Sequence, residues 1–108
     1  MATYYWVGGT GTWDNVTNTN WASSSGGTGG VGVPTSVDDV FFDSNSNATA
    51  YTVTISSGAT VCRSITVAGP ASGNVTFTGS TAWSVYGNFT LPSSGITWSY
   101  SEIGRAHV

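Results

Sequence analysis

The chain has 108 residues, with 2 Lys plus Arg against 5 Asp plus Glu and a formal net charge of −3. With 6% charged residues and no Lys, it lacks the basic footprint of a nucleic-acid binder and of a polybasic lipid-surface binder, and no stretch approaches the ~18 apolar residues of a membrane span. Gly, Ser, Thr and Asn number 15, 16, 17 and 7, beside 12 Val, 14 aromatics and a single Leu; good helix formers are scarce and pleat-fitting residues abundant, which predicts an all-β fold and argues against disorder.

The first predicted strand covers 3–7, where Thr3, Tyr5 and Val7 share one face and Tyr4 and Trp6 the other. Aromatics on both faces predict burial on both. From Gly8 to Thr35 the chain is Gly, Ser, Thr and Asn around Trp13 and Trp21, closed by Pro34, which reads as a loop-rich cap pinned by tryptophans. A strand is predicted at 38–43, then short strands at 51–55, 61–68, 74–78, 83–91 and 96–100. Their inward candidates alternate: Tyr51, Val53, Ile55; Ile65, Val67; Val75, Phe77; Trp83, Val85, Phe89, Leu91; Ile96, Trp98, Tyr100. Their outward partners are mostly Thr and Ser.

Strand centres recur every ten to twelve residues, which suits either the hairpins of a β-sandwich or the sides of β-solenoid rungs. The corners lack the Asn-Gly and Asp-Gly pairs of two-residue hairpins, and a Thr/Ser outer face suits stacked ladders. A β-solenoid, similar to a parallel β-helix, is therefore preferred over a sandwich. The expected organisation is a Trp-pinned N-terminal cap at 1–43 and solenoid rungs at 44–101 of the same domain. Residues 102–108 form an expected non-native tail, because Ile103 to Val108 read back into the opening bases of a common sequencing adapter. Residues 1–6 have neither the basic nor the apolar segment of a secretory signal, and Cys62, the single cysteine, has no internal disulfide partner.

Several segments carry a resemblance. Trp6-Val7-Gly8-Gly9-Thr10-Gly11-Thr12-Trp13-Asp14, Asn20-Trp21, Val33-Pro34-Thr35 and Asp38-Asp39-Val40-Phe41-Phe42-Asp43 resemble the opening of phage tail-associated and bacterial-surface β-helix proteins of the autotransporter-passenger type. Cys62 to Val67 and Tyr86 to Leu91 are similar to their rung strands. The resemblance implies a structural or adhesive β-solenoid in a virion or at a cell surface, and it supplies no active site.

Chemistry is sparsely represented. Before residue 102 there is no His, Glu or Lys to act as a base, so no catalytic residue is expected and the protein is read as a non-enzyme. A carboxylate pair from Asp39 and Asp43 would lie roughly 13 Å apart on a straight strand, too far for glycoside cleavage. No cofactor is expected; Asp38, Asp39 and Asp43, with Asn45, are the candidate ligands should the chain hold calcium. The run Gly26 to Gly30 lacks the Lys-Ser/Thr ending of a phosphate loop. Arg63 is expected to pair with an aspartate or cover an aromatic ring, and Cys62 to be a core residue. Trp13, Trp21 and Tyr86 are the candidate platforms for a cell-surface glycan, the alternative function being a carbohydrate-binding or adhesive module. Self-association is expected through solenoid ends or by strand addition of residues 3–7.

Overall fold

In the computed structural model, residues 2–14, 16–56, 60–79, 84–92, 94–98 and 105–106 are described, without the side chains of Phe89, Trp98, Arg105 and Ala106. Trp83 and Tyr100 lie outside this set. Twelve short strands and no helix are found among the described residues. They are β1 (Thr3–Trp6), β2 (Gly11–Trp13), β3 (Trp21–Ala22), β4 (Asp39–Phe42), β5 (Tyr51–Ile55), β6 (Val61–Cys62), β7 (Ile65–Val67), β8 (Val75–Gly79), β9 (Ser84–Val85), β10 (Phe89–Thr90), β11 (Ile96–Trp98) and β12 (Arg105–Ala106).

The strands form three sheets, ordered β10-β7-β4-β1-β3, β11-β8-β5-β2 and β12-β9-β6. From β4 onward the chain visits the first, second and third sheet in turn and then returns to the first. Each return lays a strand parallel beside its predecessor. Val40 stands beside Ile65 and Ile65 beside Phe89, spacings of 25 and 24 residues. Tyr51, Val75 and Ile96 are spaced by 24 and 21, and Val61, Ser84 and Arg105 by 23 and 21. The first return is longer, 36 residues from Tyr4 to Val40, because the Gly-rich segment intervenes. The exception to parallel pairing is β1 with β3, Tyr5 beside Ala22 and Trp6 beside Trp21.

Alternation explains the core. Tyr51, Val53 and Ile55 are buried on β5, Ile65 and Val67 on β7, Val75 and Phe77 on β8, and Val85 on β9, each with half-buried neighbours between. A pleated strand sends successive side chains to opposite faces, so one face of each sheet fills the interior. Cys62 is fully buried there, as a small apolar residue can be.

Corners are tight. A Cβ added to Gly69 would stand 2.8 Å from the carbonyl oxygen of Gly95, the glycine of the next corner in the stack. Gly95 itself has φ +82°, a left-handed conformation that glycine adopts without steric penalty. Small residues at these positions therefore let successive corners approach at the spacing of the strands.

Several expectations need correction. The strands predicted at 61–68 and 83–91 each break into two, at the corners Arg63-Ser64 and Tyr86-Gly87-Asn88, because the chain turns from the third sheet into the first. Within the expected loop-rich cap, Gly11–Trp13 and Trp21–Ala22 are strands. Leu91 is 40% exposed rather than inward, lying just past the end of β10. On β1 only Trp6 is buried; Tyr5 is half-buried on the outer face, where its ring stacks on Phe41 at 5.3 Å. For the strand addition expected of residues 3–7, β4 lies along one side of β1 and β3 covers Tyr5 and Trp6 on the other, which leaves only Thr3 and Tyr4 on that edge. Finally, Arg105–Ala106, within the segment read as a non-native tail, runs parallel to β9, which backbone ladders permit with little regard to side-chain identity.

Candidate functional site

The three tryptophans of the first 21 residues meet in one cluster. Trp6 comes from β1, Trp13 from β2 and Trp21 from β3, and all three have no exposed surface. Trp21 lies 5.1 Å from both Trp6 and Trp13, edge-on to each, and 6.2 Å from Tyr4. Phe42 closes the group below, 5.4 Å from Trp6 and 5.8 Å from Trp21, and touches Phe77 of the next strand layer at 5.0 Å. Edge-to-face pairs of this kind add to the energy of burying large rings.

Trp13 and Trp21 are therefore plugs, and the reading of them as glycan platforms is overturned: a ring with no exposed surface has no face to offer a sugar. They are drawn inward because β3 folds back antiparallel over β1 and turns Trp21 onto the open end of the interior. Asn20, quoted above only as part of the Asn20-Trp21 motif, holds this fold. Its backbone carbonyl accepts from the Val7 N–H at 2.8 Å, and its side-chain amide donates to the Thr12 carbonyl at 3.0 Å. The indole N–H of Trp6 donates to the Gly9 carbonyl at 2.9 Å. Tyr86 is 48% exposed at the corner after β9, so of the three candidate platforms it alone presents a surface.

The carboxylates do not converge. Among the described residues no three acidic, histidine or cysteine side chains come together as a metal-holding group. Asp38 and Asp43 flank opposite ends of β4, and Asp39 points outward between them. Each is engaged locally. Asp38 accepts the Thr35 N–H and hydroxyl at 2.9 and 2.8 Å, and the Ala2 N–H at 2.8 Å. Asp39 meets the Arg63 guanidinium at 2.7 Å, the aspartate partner expected for that arginine. With Arg63 40% exposed this pair is worth about 0–1 kcal/mol. Asp43 accepts the Ser25 hydroxyl at 2.7 Å and the Asn45 N–H at 3.0 Å, while Asn45 donates to Ser25 at 2.9 Å. It ties the Gly-rich segment to the turn after β4. The calcium arrangement of Asp38, Asp39 and Asp43 is thus not assembled, because a straight strand holds its ends apart.

Electrostatics follow these bonds. Burial pushes the Asp38 carboxyl upward, but the donors from Thr35 and Ala2 outweigh it and hold the pKa below the ordinary 3.8. Asp14 behaves alike, with burial overcome by donors from Thr17 and Val16. Burial also pushes the Tyr51 phenol up to about 12, with Ser46 opposing and the Asp43 charge adding to the rise.

Together these features define an all-β protein of stacked, mainly parallel strands, closed at one end by an aromatic plug. No protein-family model, no curated protein and no solved structure matches the chain.

Proposed function

We propose that the chain is a non-enzymatic structural module, the cap and first rungs of a β-solenoid from a phage tail-associated or cell-surface fibre. The observation that carries this reading is the in-register parallel stacking of β4, β7 and β10, of β5, β8 and β11, and of β6, β9 and β12. Hairpin-connected sandwiches pair successive strands antiparallel; here the strands from β4 onward pair parallel with strands about two dozen residues away. The assignment to a virion or an outer cell surface is supported by the motif resemblance at residues 6–43. Every described carboxylate near β4 is spent on a turn, a loop or an ion pair, which favours a structural role over hydrolysis.

The two ends of the stack differ. At the cap end β3 covers the edge of β1, and the Asn20 amide occupies the Thr12 carbonyl. At the other end β10, β11 and β12 each pair on one side only among the described residues, as β2 and β6 do at the cap end, but no strand folds back there as β3 does over β1. The chain has no Lys with which to blunt such edges. The protein should therefore associate as its concentration rises. Light scattering across a dilution series should show the mean mass increasing, and Thr90→Lys, which places a charge on the exposed edge strand β10, should shift that rise to higher concentration. A single monomeric mass throughout, unchanged by the substitution, would argue against a module built to continue at its open end.

A further inference from the structure

The outward face of the second sheet differs from the other two. On β2, β5, β8 and β11 every second residue is threonine, and the registers stack these threonines in two columns. Thr12 lies beside Thr54 and Thr54 beside Thr78. Thr52 lies beside Thr76 and Thr76 beside Thr97. The residues between them, Val53 and Phe77, are buried, so all six threonines project to the same side. Five are half-buried and Thr97 is exposed. The hydroxyls of Thr12, Thr54, Thr76 and Thr78 make no hydrogen bond to another described residue, whereas Thr97 accepts the Asn74 amide at 3.0 Å.

The other faces lack this regularity. In the first sheet the equivalent column runs Tyr5, Phe41, Thr66, Thr90, with the Asp39–Arg63 ion pair beside it. No outward position of β2, β5, β8 or β11 carries a charge. Threonines repeat at about 4.7–4.9 Å from strand to strand and about 6.6 Å along each strand. The result is a neutral two-dimensional array in which each position carries one hydroxyl and one methyl group.

We propose that this threonine array binds crystalline water: the face of β2, β5, β8 and β11 adsorbs to ice. The methyl groups order first-shell water around them, and the hydroxyls anchor that water by accepting and donating hydrogen bonds. The strand-to-strand repeat of the array lies close to an oxygen repeat of hexagonal ice, so water anchored along each column continues the lattice in that direction. Neutrality fits the same occupant, since a charged side chain would orient water about itself and break the pattern. The described outward positions offer no aromatic ring for stacking on sugars, which sets this face apart from a polysaccharide platform. The inference needs only the pairing of these four strands and is independent of the fibre reading.

The test uses the full chain in nanolitre osmometry. The protein should open a gap between melting and freezing temperatures and shape growing ice crystals into facets. Thr54→Tyr and Thr76→Tyr, which raise a ring above the array, should lose the gap while keeping the urea midpoint. Thr66→Tyr, on the first sheet, should keep the gap. Should a tyrosine variant misfold, the double change Thr54→Ser with Thr76→Ser preserves the hydroxyls but removes two methyls, and it should shrink the gap without altering the far-ultraviolet dichroism. Absence of a gap in the unmodified protein, a gap undiminished in folded Thr54→Tyr and Thr76→Tyr, or binding to cellulose or chitin particles with none to ice would overturn the proposal.

Discussion

Replacing Trp21 by alanine should lower the unfolding free energy by about 3–5 kcal/mol, the usual cost of deleting a buried large aromatic. A domain of this size is stable by only about 5–15 kcal/mol, so the variant should be unfolded or close to it at room temperature. The reason is location as much as size. Trp21 contacts Tyr4, Trp6, Trp13 and Phe42, and it sits on the two-residue strand β3, which pairs with β1 alone. Removing the ring opens a cavity at the end of the interior, where only loop segments could collapse to fill it. Trp21→Phe should cost distinctly less. Phenylalanine keeps much of the apolar volume and also removes an indole N–H that is buried without an acceptor among the described residues. Urea unfolding followed by far-ultraviolet dichroism separates the two, and equal, small losses in both variants would contradict the plug.

The second large effect concerns Asp38, which is 5% exposed and accepts three hydrogen bonds. Asp38→Ala removes three part-buried bonds from the exposed residues Thr35 and Ala2 to a buried carboxylate, at a cost of about 1.5–3 kcal/mol for bonds to a charged acceptor. Asp38→Asn keeps a carbonyl acceptor and should lose less. The pH dependence follows from the direction of the shift. The folded-state pKa lies below the ordinary 3.8, so the stabilisation is complete above the unfolded-state value and drains away as pH falls through the folded one. Asp14 adds to it with the same sign. The urea midpoint should change little on this account between pH 5 and 7, fall below about pH 4, and fall less steeply in Asp38→Asn than in the unmodified chain. An identical acid limb in both proteins would remove Asp38 from the account.

How much of this was legible beforehand depends on the length of each element. Tyr51-Thr52-Val53-Thr54-Ile55 and Val75-Thr76-Phe77-Thr78 alternate over enough residues for the period of two to declare both the strand and its inward face. Two- and three-residue strands carry no period. Gly11–Trp13 and Trp21–Ala22 read as punctuation because their glycine and asparagine neighbours dominate the local signal, and only the long-range pairing with β5 and β1 makes them strands. The same holds for the tryptophans: sequence marked Trp13 and Trp21 as important but could not tell a plug from a platform, since that depends on where β3 folds back.

The aspartates illustrate a different limit. Asp38 and Asp39 are adjacent in sequence, yet one turns to the Thr35 turn and the other to Arg63, 24 residues on. Alternation along β4 separates neighbours as surely as it aligns alternate residues, so a cluster in sequence became three unrelated contacts. The threonine columns show the converse. Each Thr-x-Thr could be read from the chain, but stacking Thr54 on Thr78 requires the whole circuit through β6 and β7 between β5 and β8 to have the right length, which sequence periodicity does not measure.

The central claim is the parallel register of strands two dozen residues apart, and disulfide trapping tests it most directly. In a Cys62→Ala background, Thr52→Cys with Thr76→Cys places two thiols at register partners, about 4.7–4.9 Å apart across the ladder and within the Cα range that a disulfide spans. Thr12→Cys with Thr97→Cys lies on the outermost strands of the same four-stranded sheet, three ladder spacings apart and two residues out of register, or roughly 16 Å. Mild oxidation of dilute protein should close the first pair within one molecule and leave the second reduced. A first pair that stays reduced in the folded protein, or a second pair that closes as readily, would contradict the stack.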